Sequence, residues 1–251
     1  MHKPEEIGTT ALLGTRYARF LTFPSREADA EAQSRVQELT AIGVTKILFD
    51  GSTMIDGVPV LGKGCVGIVV QASLDNVPVA LKIKRMDADR PSFVEEGRLL
   101  RLANSVDVGP RLFAVTRNFL VMELISGLPL FRWVDRTPNR SQVRNVLRGL
   151  LTDCFRLDLI GIDHGELSHA PRNVLVTFNG KGCIVDFESA STSRRVANVT
   201  SLIQYFLFGQ LARKIRGKLY KDKRAVLEAL SDYKQDGSVS SFERVLETLG
   251  M

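Results

Sequence analysis

The most constraining feature of the 251-residue sequence is a hairpin signal in the segment from His164 to Glu188. Two short β-rich runs, at 174–178 and 183–185, are separated by a loop that contains Asn179-Gly180. Asn-Gly between two such runs is a strong indication of a β-hairpin. Since a hairpin brings its two ends side by side, the residues just outside the two strands must share one space.

Those flanking residues suit a metal ion. Asn173 precedes the first strand and Asp186 follows the second, so one amide oxygen and one carboxylate are predicted to face the same space. Mg²⁺ takes one or two carboxylates and shares its other positions with phosphates and water. Glu166, just upstream, is a candidate acid or base. The segment therefore predicts a magnesium site beside a proton-transfer group.

Length and composition are those of an ordinary globular protein. A chain of 251 residues can form one large domain or two lobes, and its hydrophobic content of 44% is typical of soluble proteins. No apolar run of about 18 residues and no secretory signal occur, so we expect no membrane segment. The three scattered cysteines make no CxxC pair and favour a reducing cytoplasm. The net charge of +6 is a weak indication of polyanion contact.

A glycine-rich loop lies between two predicted strands. The sequence from Leu61 to Val69 has the full Gly-x-Gly-x-x-Gly-x-Val pattern, with glycines at 62, 64 and 67. Dinucleotide-binding folds use a similar pattern, but there it must open a helix. Here it runs into Ile68 to Val70, a polar turn at Asp75-Asn76 and a further strand from Val77 to Ile83. This strand–loop–strand context resembles the arrangement of protein kinases, in which the glycines let backbone N–H groups close over phosphates. No P-loop pattern occurs in the sequence.

The next strand supplies a lysine, and a later helix supplies a carboxylate. Ala80 and Lys82 share one face of the strand, whereas Val79, Leu81 and Ile83 are predicted to face the core. The small alanine leaves room for an adenine, and the lysine suits phosphates; a surface lysine is the alternative. In the predicted helix from Ser92 to Asn104, Glu95 completes a capping box with Ser92, which leaves Glu96 on the apolar stripe as a partner for Lys82.

The remaining segments predict scaffold. Runs at 112–115 and 119–123 fit a hairpin, and three apolar stripes predict helices around Val143–Cys154, Val199–Phe206 and Phe242–Leu249. In the first fifty residues we expect a strand at Arg16–Phe23, a helix at Glu27–Ile42 and a strand at Thr45–Phe49, which either extend a sheet or form a small appendage. Between Arg213 and Arg224, seven of twelve residues are basic. With Arg194 and Arg195 they form either a solvated face or a patch that faces RNA or a ribosome.

These motifs occur in an order that resembles protein kinases. The His164-Gly165-Glu166-Leu167 loop and the short chain are similar to small atypical kinases, namely the RIO family and the kinase subunit of the KEOPS tRNA-modification complex. The resemblance covers roughly Leu61 to Glu188. It implies an α+β, bilobal protein-kinase-like fold with an antiparallel β N-lobe, one key helix, and a reduced, mainly α-helical C-lobe. The implied limits are 1–50 for an N-terminal appendage or extension, 51–124 for the N-lobe and 125–251 for the C-lobe.

The resemblance also implies a role for each site residue. Lys82 holds the α- and β-phosphates of ATP and pairs with Glu96, Glu166 replaces the family's catalytic aspartate, and Asn173 and Asp186 hold Mg²⁺ or Mn²⁺. Backbone groups near Glu123 and Ile125 bond the adenine edge, with Met122 behind it. The full set expected around the nucleotide is Gly62, Lys63, Gly64, Gly67, Val69, Ala80, Lys82, Glu96, Met122, Glu123 and Ile125.

Four departures from the family pattern are present. The base is Glu166 rather than aspartate, and Asn173 follows it by seven residues rather than five, with the extra residues around Ala170-Pro171. Asp-Phe-Gly has become Asp186-Phe187-Glu188, which predicts a fixed rather than a flipping metal loop. No Ala-Pro-Glu follows, and only about ten residues separate Glu188 from the next predicted helix, too few for a long peptide-docking segment.

The expected activity is transfer of the ATP γ-phosphate to a protein serine or threonine, including autophosphorylation. One alternative is an ATPase switch in RNA or ribosome processing, for which the basic C-terminal face would contact RNA, a tRNA-modification complex or a ribosome-assembly particle. A small-molecule phosphotransferase of the aminoglycoside-kinase type ranks lower, because such enzymes usually carry an acidic substrate pocket. The alternative from a different class is a pseudokinase, a nucleotide-binding scaffold without turnover.

Overall fold

The chain folds into mixed α-helices and antiparallel β-sheets, in two compact units. The computed structural model describes residues 4–25, 28–137, 139–169, 173–209, 211–219 and 222–251. Unit 1 extends to Arg98 and also contains Arg111–Leu124, and unit 2 consists of Leu99–Pro110 and Ile125–Met251. Each unit has its own buried core.

An antiparallel seven-stranded sheet forms the centre of unit 1. Its main path follows the order β1-β2-β6-β7-β9-β8, and β5 pairs with β6, whereas β3 and β4 form a separate two-stranded hairpin. In chain order the strands are β1 (Glu5–Gly8), β2 (Val44–Phe49), β3 (Thr53–Ile55), β4 (Val58–Val60), β5 (Gly62–Lys63), β6 (Gly67–Leu74), β7 (Val77–Lys84), β8 (Leu112–Val115) and β9 (Phe119–Glu123).

Alternation along the central strands separates a core face from a second face. On the core face, Val79, Leu81 and Ile83 of β7 pack in one cluster with the neighbouring strands and with helix α1 (Asp29–Ala41). The prediction that these three residues face the core is confirmed. Ala80 and Lys82 lie on the opposite face of the same strand, because successive side chains of a strand point to opposite sides.

The first fifty residues extend the sheet rather than forming an appendage. β1 pairs with β2, and β2 pairs with β6 over Val44–Leu48. The predicted strand at Arg16–Phe23 is wrong, because that segment contains a 3₁₀ helix at Ala18–Phe20. Its buried hydrophobic residues are Tyr17, Phe20 and Leu21. That spacing places them on one side of a tight helical turn, whereas a strand would bury alternate residues.

Helix α1 is fastened to the sheet by a fully buried arginine. Arg35 is 1% exposed, and its Nη1 donates to the backbone carbonyls of Leu21 and Lys84. Its Nη2 donates to Asn118 Oδ1 at 3.0 Å, and its Nε to Glu31 at 2.7 Å. One guanidinium thus satisfies oxygen atoms from four separate parts of unit 1. The predicted helix began at Glu27, which lies outside the described residues.

Replacing Arg35 with methionine is expected to lower the free energy of unfolding by about 3–5 kcal/mol, because buried oxygen atoms lose their donors. The measurement is urea unfolding of the full chain. Lys46→Met is the matched control, since Lys46 pairs with Glu6 at the surface, where both side chains are about half exposed. That change should cost less than about 1 kcal/mol. Equal costs for the two variants would contradict the central role of Arg35.

Unit 2 is mainly helical, with one small sheet. The elements are α2 (Val94–Asn104), β10 (Gly127–Pro129), α3 (Leu130–Arg136), α4 (Arg140–Leu159), β11 (Val174–Thr177), β12 (Gly182–Ile184), α5 (Asn198–Phe208), α6 (Ala212–Leu219), α7 (Lys223–Asp236) and α8 (Val239–Thr248). Helix α2 begins in unit 1 and ends in unit 2, with the limit between Arg98 and Leu99. β10, β11 and β12 form an antiparallel three-stranded sheet, and the predicted apolar stripes of α4, α5 and α8 are buried.

The hairpin predicted from Asn179-Gly180 is present. Leu175 of β11 lies opposite Cys183 of β12, and the N–H of Gly180 donates to the carbonyl of Thr177 at 2.9 Å. Gly180 has φ +82°, in the left-handed region where glycine is favoured. The connection is therefore a tight turn that ends in a left-handed glycine, a common three-residue hairpin loop.

Among the helices that the structure describes, none combines the length and the apolar character that a bilayer-spanning segment needs.

The buried carboxyl group of Asp153, on α4, makes the free energy of unfolding depend on pH. Burial raises the pKa of Asp153 to about 6, against the opposing effect of the positive charges of Arg156 and Lys181. A raised pKa in the folded state stabilises the fold at low pH, and this contribution is lost as the pH rises from about 4 through about 6. Over that range the wild type should lose about 2 kcal/mol relative to Asp153→Asn, as measured by urea unfolding at each pH. Parallel curves for the two proteins would exclude Asp153 as the cause.

Candidate functional site

The glycine-rich loop is the tip of a β-hairpin in unit 1. Gly62 lies opposite Val69 in the β5–β6 pairing, and Lys63 lies opposite Ile68. The N–H of Gly64 donates to the carbonyl of Gly67 at 2.8 Å, which closes the tip. The loop therefore leads from strand to strand, as the sequence predicted, and not into a helix.

An arginine outside the predicted site braces this hairpin. The backbone N–H of Arg85 donates to the carbonyl of Val66 at 2.8 Å, and its Nη1 donates to the carbonyl of Gly64 at 2.9 Å. Its guanidinium also bonds both carboxylate oxygens of Asp87, which lowers the pKa of Asp87. The centre of the Phe23 ring lies 4.8 Å from Lys63 Nζ and 5.4 Å from Arg85 Cζ. Sequence reasoning missed this brace; its one local signal is the Arg85-x-Asp87 spacing.

Lys82 and Glu96 form a buried ion pair. Lys82 Nζ donates to both carboxylate oxygens of Glu96, at 2.8 and 3.1 Å, and the side chains are 5% and 3% exposed. The neighbouring Glu95 bonds Arg98 at the surface, so the two adjacent glutamates have different partners. Phe93 contributes an aromatic ring 5.5 Å from the Lys82 ammonium. The pair expected from the helical stripe is therefore present within unit 1.

Three other unit 1 residues predicted for the nucleotide, Val69, Ala80 and Met122, lie on the Lys82 face of the sheet. Val69 is directly opposite Lys82, and Ala80 is directly opposite Met122. Directly opposed residues point to the same side of a sheet, so these four side chains share one face. Ala80 is nearly fully buried and Met122 is partly exposed. Glu123 ends β9 with an exposed side chain, whereas Ile125 belongs to unit 2.

Gly67 is the glycine on which the position of Lys82 depends. A Cβ atom at residue 67 would lie 2.9 Å from Lys82 Cγ and 3.2 Å from the carbonyl oxygen of Ile83. Because one of these contacts is with backbone, side-chain movement alone does not relieve it. Packing therefore requires a glycine at position 67, independently of the proposed contact between this loop and phosphates.

Gly67→Ala is expected to lower the free energy of unfolding by about 1–3 kcal/mol, because the added methyl group overpacks the Lys82 side chain. Gly62→Ala is the matched control in the same hairpin, since a Cβ there meets no atom within 4 Å. It should change stability by no more than about 0.5 kcal/mol. Urea unfolding of both variants is the measurement, and a neutral Gly67→Ala would contradict this account of the glycine.

Glu166 of unit 2 is held by two side chains. Asn173 Nδ2 donates to Glu166 Oε2 at 3.1 Å, and the Ser189 hydroxyl donates to Glu166 Oε1 at 2.5 Å. These hydrogen bonds, that of Ser189 first, lower the pKa of Glu166 despite the opposing effects of burial and of the Asp186 charge. Glu166 is therefore an ionised carboxylate near neutral pH, able to accept a proton. Sequence reasoning identified Glu166 and Asn173 but missed Ser189.

The hairpin brings the backbone of Asn173 next to the segment that carries Asp186. The N–H of Val185 donates to the carbonyl of Asn173 at 2.9 Å. Asp186 follows with φ +66° and ψ +77°, a left-handed conformation that turns the chain into a 3₁₀ helix at Phe187–Ser189. Four other non-glycine residues of the described chain also have positive φ, so this conformation accounts for the turn and does not by itself mark a functional position.

The side chains here are of types that suit a hard cation. Because Asn173 Nδ2 faces Glu166, the amide oxygen of Asn173 points away from Glu166, and Asp186 is a partly exposed acidic residue. These residue types fit Mg²⁺, which needs few protein ligands when it also binds phosphate. Within the described ranges, no group of three or more His, Cys, Asp or Glu side chains has the arrangement of a metal site. Ala170 and Pro171, to which the longer spacing was attributed, lie outside the described residues.

A buried histidine fixes the backbone before Glu166. The N–H of His164 donates to Asn198 Oδ1 at 2.8 Å, and its Nε2 lies 3.1 Å from the carbonyl of Val185. Its ring meets Phe187 edge-on, with the ring centres 5.1 Å apart. Burial lowers the pKa of His164, so the ring is neutral at neutral pH. Because a carbonyl oxygen can only accept, Nε2 is the protonated ring nitrogen and donates to the carbonyl of Val185. The loop that carries Glu166 and the strand that leads to Asp186 are therefore tied together.

Asp163 has a structural role. Its carboxylate accepts from Arg194 Nε at 2.9 Å and from the backbone N–H of Ala197 at 3.2 Å. Arg194 also donates to the backbone carbonyl of Ser189. Gly165, with φ +88°, leaves the space that the guanidinium fills, since a Cβ there would lie 2.5 Å from Arg194 Nη2. Arg194 thus holds the segment after Asp186 in place, a function that its assignment to a basic patch did not anticipate.

The basic run is only partly described. Lys214 pairs with Asp135, and Arg224 pairs with Glu228 at 2.9 Å. Lys223 Nζ lies 3.7 Å from the centre of the exposed Phe208 ring. Lys221 and the side chains of Arg216 and Lys218 lie outside the described part. The predicted contact with RNA or a ribosome stays a prediction.

No protein-family model and no curated protein matches the chain. The function is therefore inferred from the residues themselves.

Proposed function

We propose that this chain is an ATP- and Mg²⁺-dependent serine/threonine protein kinase of the atypical RIO- or KEOPS-kinase-like type, with a bilobal kinase fold. The observation that carries the proposal is the buried, bidentate Lys82–Glu96 pair on the sheet face beside the glycine hairpin. A pair of buried charges is costly in free energy, and phosphate binding gives such a lysine a use.

In this proposal, unit 1 binds the nucleotide. Lys82, oriented by Glu96, neutralises the α- and β-phosphates, and backbone N–H groups of the loop from Gly62 to Gly67 contact the same phosphates. Val69, Ala80 and Met122 share the Lys82 face and provide apolar surface for an adenine. Backbone groups near Glu123 and Ile125 are the proposed partners of the adenine edge. Positioning and charge neutralisation of this kind make up most of the catalysis of phosphoryl transfer.

Unit 2 supplies the acid/base group and the metal ligands. The ionised Glu166 accepts the proton of the attacking hydroxyl, which requires a carboxylate within hydrogen-bond reach. Asn173 and Asp186 would hold Mg²⁺ or Mn²⁺ through their side-chain oxygens, and the ion, when bound, supplies neutralisation of phosphate charge. Arg194 and His164 keep the two segments in place without touching the reacting atoms. The segment between Ser189 and α5 is short, and this favours a compact acceptor over an extended peptide.

A nucleotide-binding scaffold without turnover is the second candidate. It is favoured by one observation, that both carboxylate oxygens of Glu166 already accept hydrogen bonds, from Ser189 and Asn173. A substrate hydroxyl must then share or displace one of them. In this candidate the protein binds MgATP but does not transfer phosphate.

Glu166→Gln is expected to lower the rate of γ-phosphate transfer by about 10²–10⁴-fold while nucleotide affinity stays near that of the wild type, since the amide cannot accept the proton. Asp186→Asn should instead weaken Mg²⁺-dependent ATP binding. The measurements are phosphate transfer from labelled ATP and calorimetric titration with MgATP. Glu243→Gln, an isosteric change at an exposed position of α8, is the matched control and should leave both unchanged.

Three results would alter the assignment. Full turnover by Glu166→Gln would show that Glu166 is not the base. MgATP binding without any transfer by the wild type would favour the scaffold. Release of phosphate to water, stimulated by RNA, would favour an ATPase switch in RNA or ribosome processing.

A further inference from the structure

Ser189 presents a hydroxyl to the proposed base. Its Oγ donates to Glu166 Oε1 at 2.5 Å, the shortest contact that this carboxylate makes among the described residues. A hydroxyl hydrogen-bonded to a carboxylate is the arrangement of a nucleophile with its general base. Ser189 also lies only three residues after Asp186, in the 3₁₀ turn that Asp186 opens.

The backbone of Ser189 is fixed in this position. Arg194 donates to the Ser189 carbonyl while its Nε is held by Asp163, and the N–H of Ala190 donates to Phe187 at 3.1 Å. A Cβ atom at Gly165 would lie 2.8 Å from the Ser189 carbonyl oxygen, so the loop that carries Glu166 packs directly against this residue. The hydroxyl therefore faces Glu166 because of the fold, before any substrate arrives.

We propose that Ser189 is an internal phosphate acceptor, modified by the chain's own active site in cis; this rests on the proposed kinase function. Ser189 Oγ forms a bond to the γ-phosphorus of ATP, and the bond from that phosphorus to the β,γ-bridging oxygen breaks. The hydroxyl proton passes to Glu166, and ADP leaves with the bonding electrons. The products are phosphoserine and ADP, so atoms and charge balance with ATP as the one co-reactant.

The same geometry makes the modification self-limiting. Phosphoserine has lost the hydroxyl proton that Glu166 accepts, and it places a dianionic group beside a carboxylate. The repulsion separates the two groups, and the dianion also repels the γ-phosphate of another ATP. Because this repulsion acts on every later ATP, phosphorylation of Ser189 reduces transfer to any other acceptor.

The neighbouring hydroxyl groups provide the control. The Ser191 and Ser193 hydroxyls lie 3.0 Å apart and bond each other. Ser191→Ala removes a hydroxyl from the same surface segment. The Ser191 side chain faces Ser193 rather than Glu166. Trypsin releases residues 182–194 as one peptide, so a single fragment reports on both serines.

The test is incubation of the full chain with MgATP, followed by intact-mass measurement and by tandem mass spectrometry of that peptide. We expect one phosphate per chain, located on Ser189, with a rate that is unchanged on serial dilution, as required for transfer in cis. Ser189→Ala should lose this phosphate, whereas Ser191→Ala should retain it. Chains that carry the phosphate should transfer more slowly to an added acceptor such as myelin basic protein or casein.

The other outcomes separate the two proposals. Phosphate found only on other residues, or a rate that falls on dilution, would overturn the assignment of Ser189 and leave the kinase function intact. ADP formation without phosphate on the chain would also overturn it, and would favour the ATPase. Absence of both ADP and phosphoprotein would overturn the assignment together with the proposed function.

Discussion

The buried ion pair between Lys82 and Glu96 is a cost that the fold of unit 1 accommodates. Each side chain is about 95% removed from solvent, and burial of an ion costs several kcal/mol in free energy even after relaxation. Hydrophobic residues of similar volume are often neutral or stabilising in place of such a pair. The pair is therefore poorly explained by stability alone. Its surroundings are arranged for it, since Gly67 leaves the space that the lysine stem crosses and Phe93 places a ring near the ammonium.

Unit 2 holds its charged groups by a different means. There the carboxylates accept hydrogen bonds from backbone and side-chain groups that are distant in the sequence, as Asp163 does from Arg194 and Ala197. Asp158 does the same at the start of α5, where it accepts from Asn198, Val199 and Tyr233. The loop of Glu166 is thus positioned by neighbours that are themselves fixed. Such supporting contacts determine whether a catalytic group is held closely enough to be effective.

Much of the fold was predictable because its signals are local. Strand alternation in β7, the glycine pattern, the Asn-Gly turn and the stripe of α4 each lie within a few consecutive residues, and the structure contains all four elements. The misread segment at Arg16–Phe23 failed because a short apolar run does not distinguish a strand from a tight helical turn. Its buried residues become recognisable only once the neighbouring sheet is present.

The candidate site was predictable only in part, for a related reason. Motif residues such as Lys82 and Glu166 stand in recognisable neighbourhoods, whereas the side chains that hold Glu166 and its loop come from distant positions. Ser189 is 23 residues from Glu166, and Arg194 is 31 from Asp163. A serine or arginine at such a separation from its partner produces no periodic pattern in the sequence. Only the folded chain brings the two partners together.

The guanidinium of Arg35 has a consequence for how the motif-bearing stretch can be used. Arg35 lies on α1 and donates to the carbonyl of Lys84, two residues after the proposed phosphate-binding Lys82. This bond therefore joins the end of β7 to a helix more than forty positions earlier in the chain. A residue outside every recognised motif thus supports the strand that carries Lys82. The stretch from the glycine hairpin onward is therefore not expected to fold independently. A fragment that begins there would contain every recognised motif but would lack the contacts that support β7.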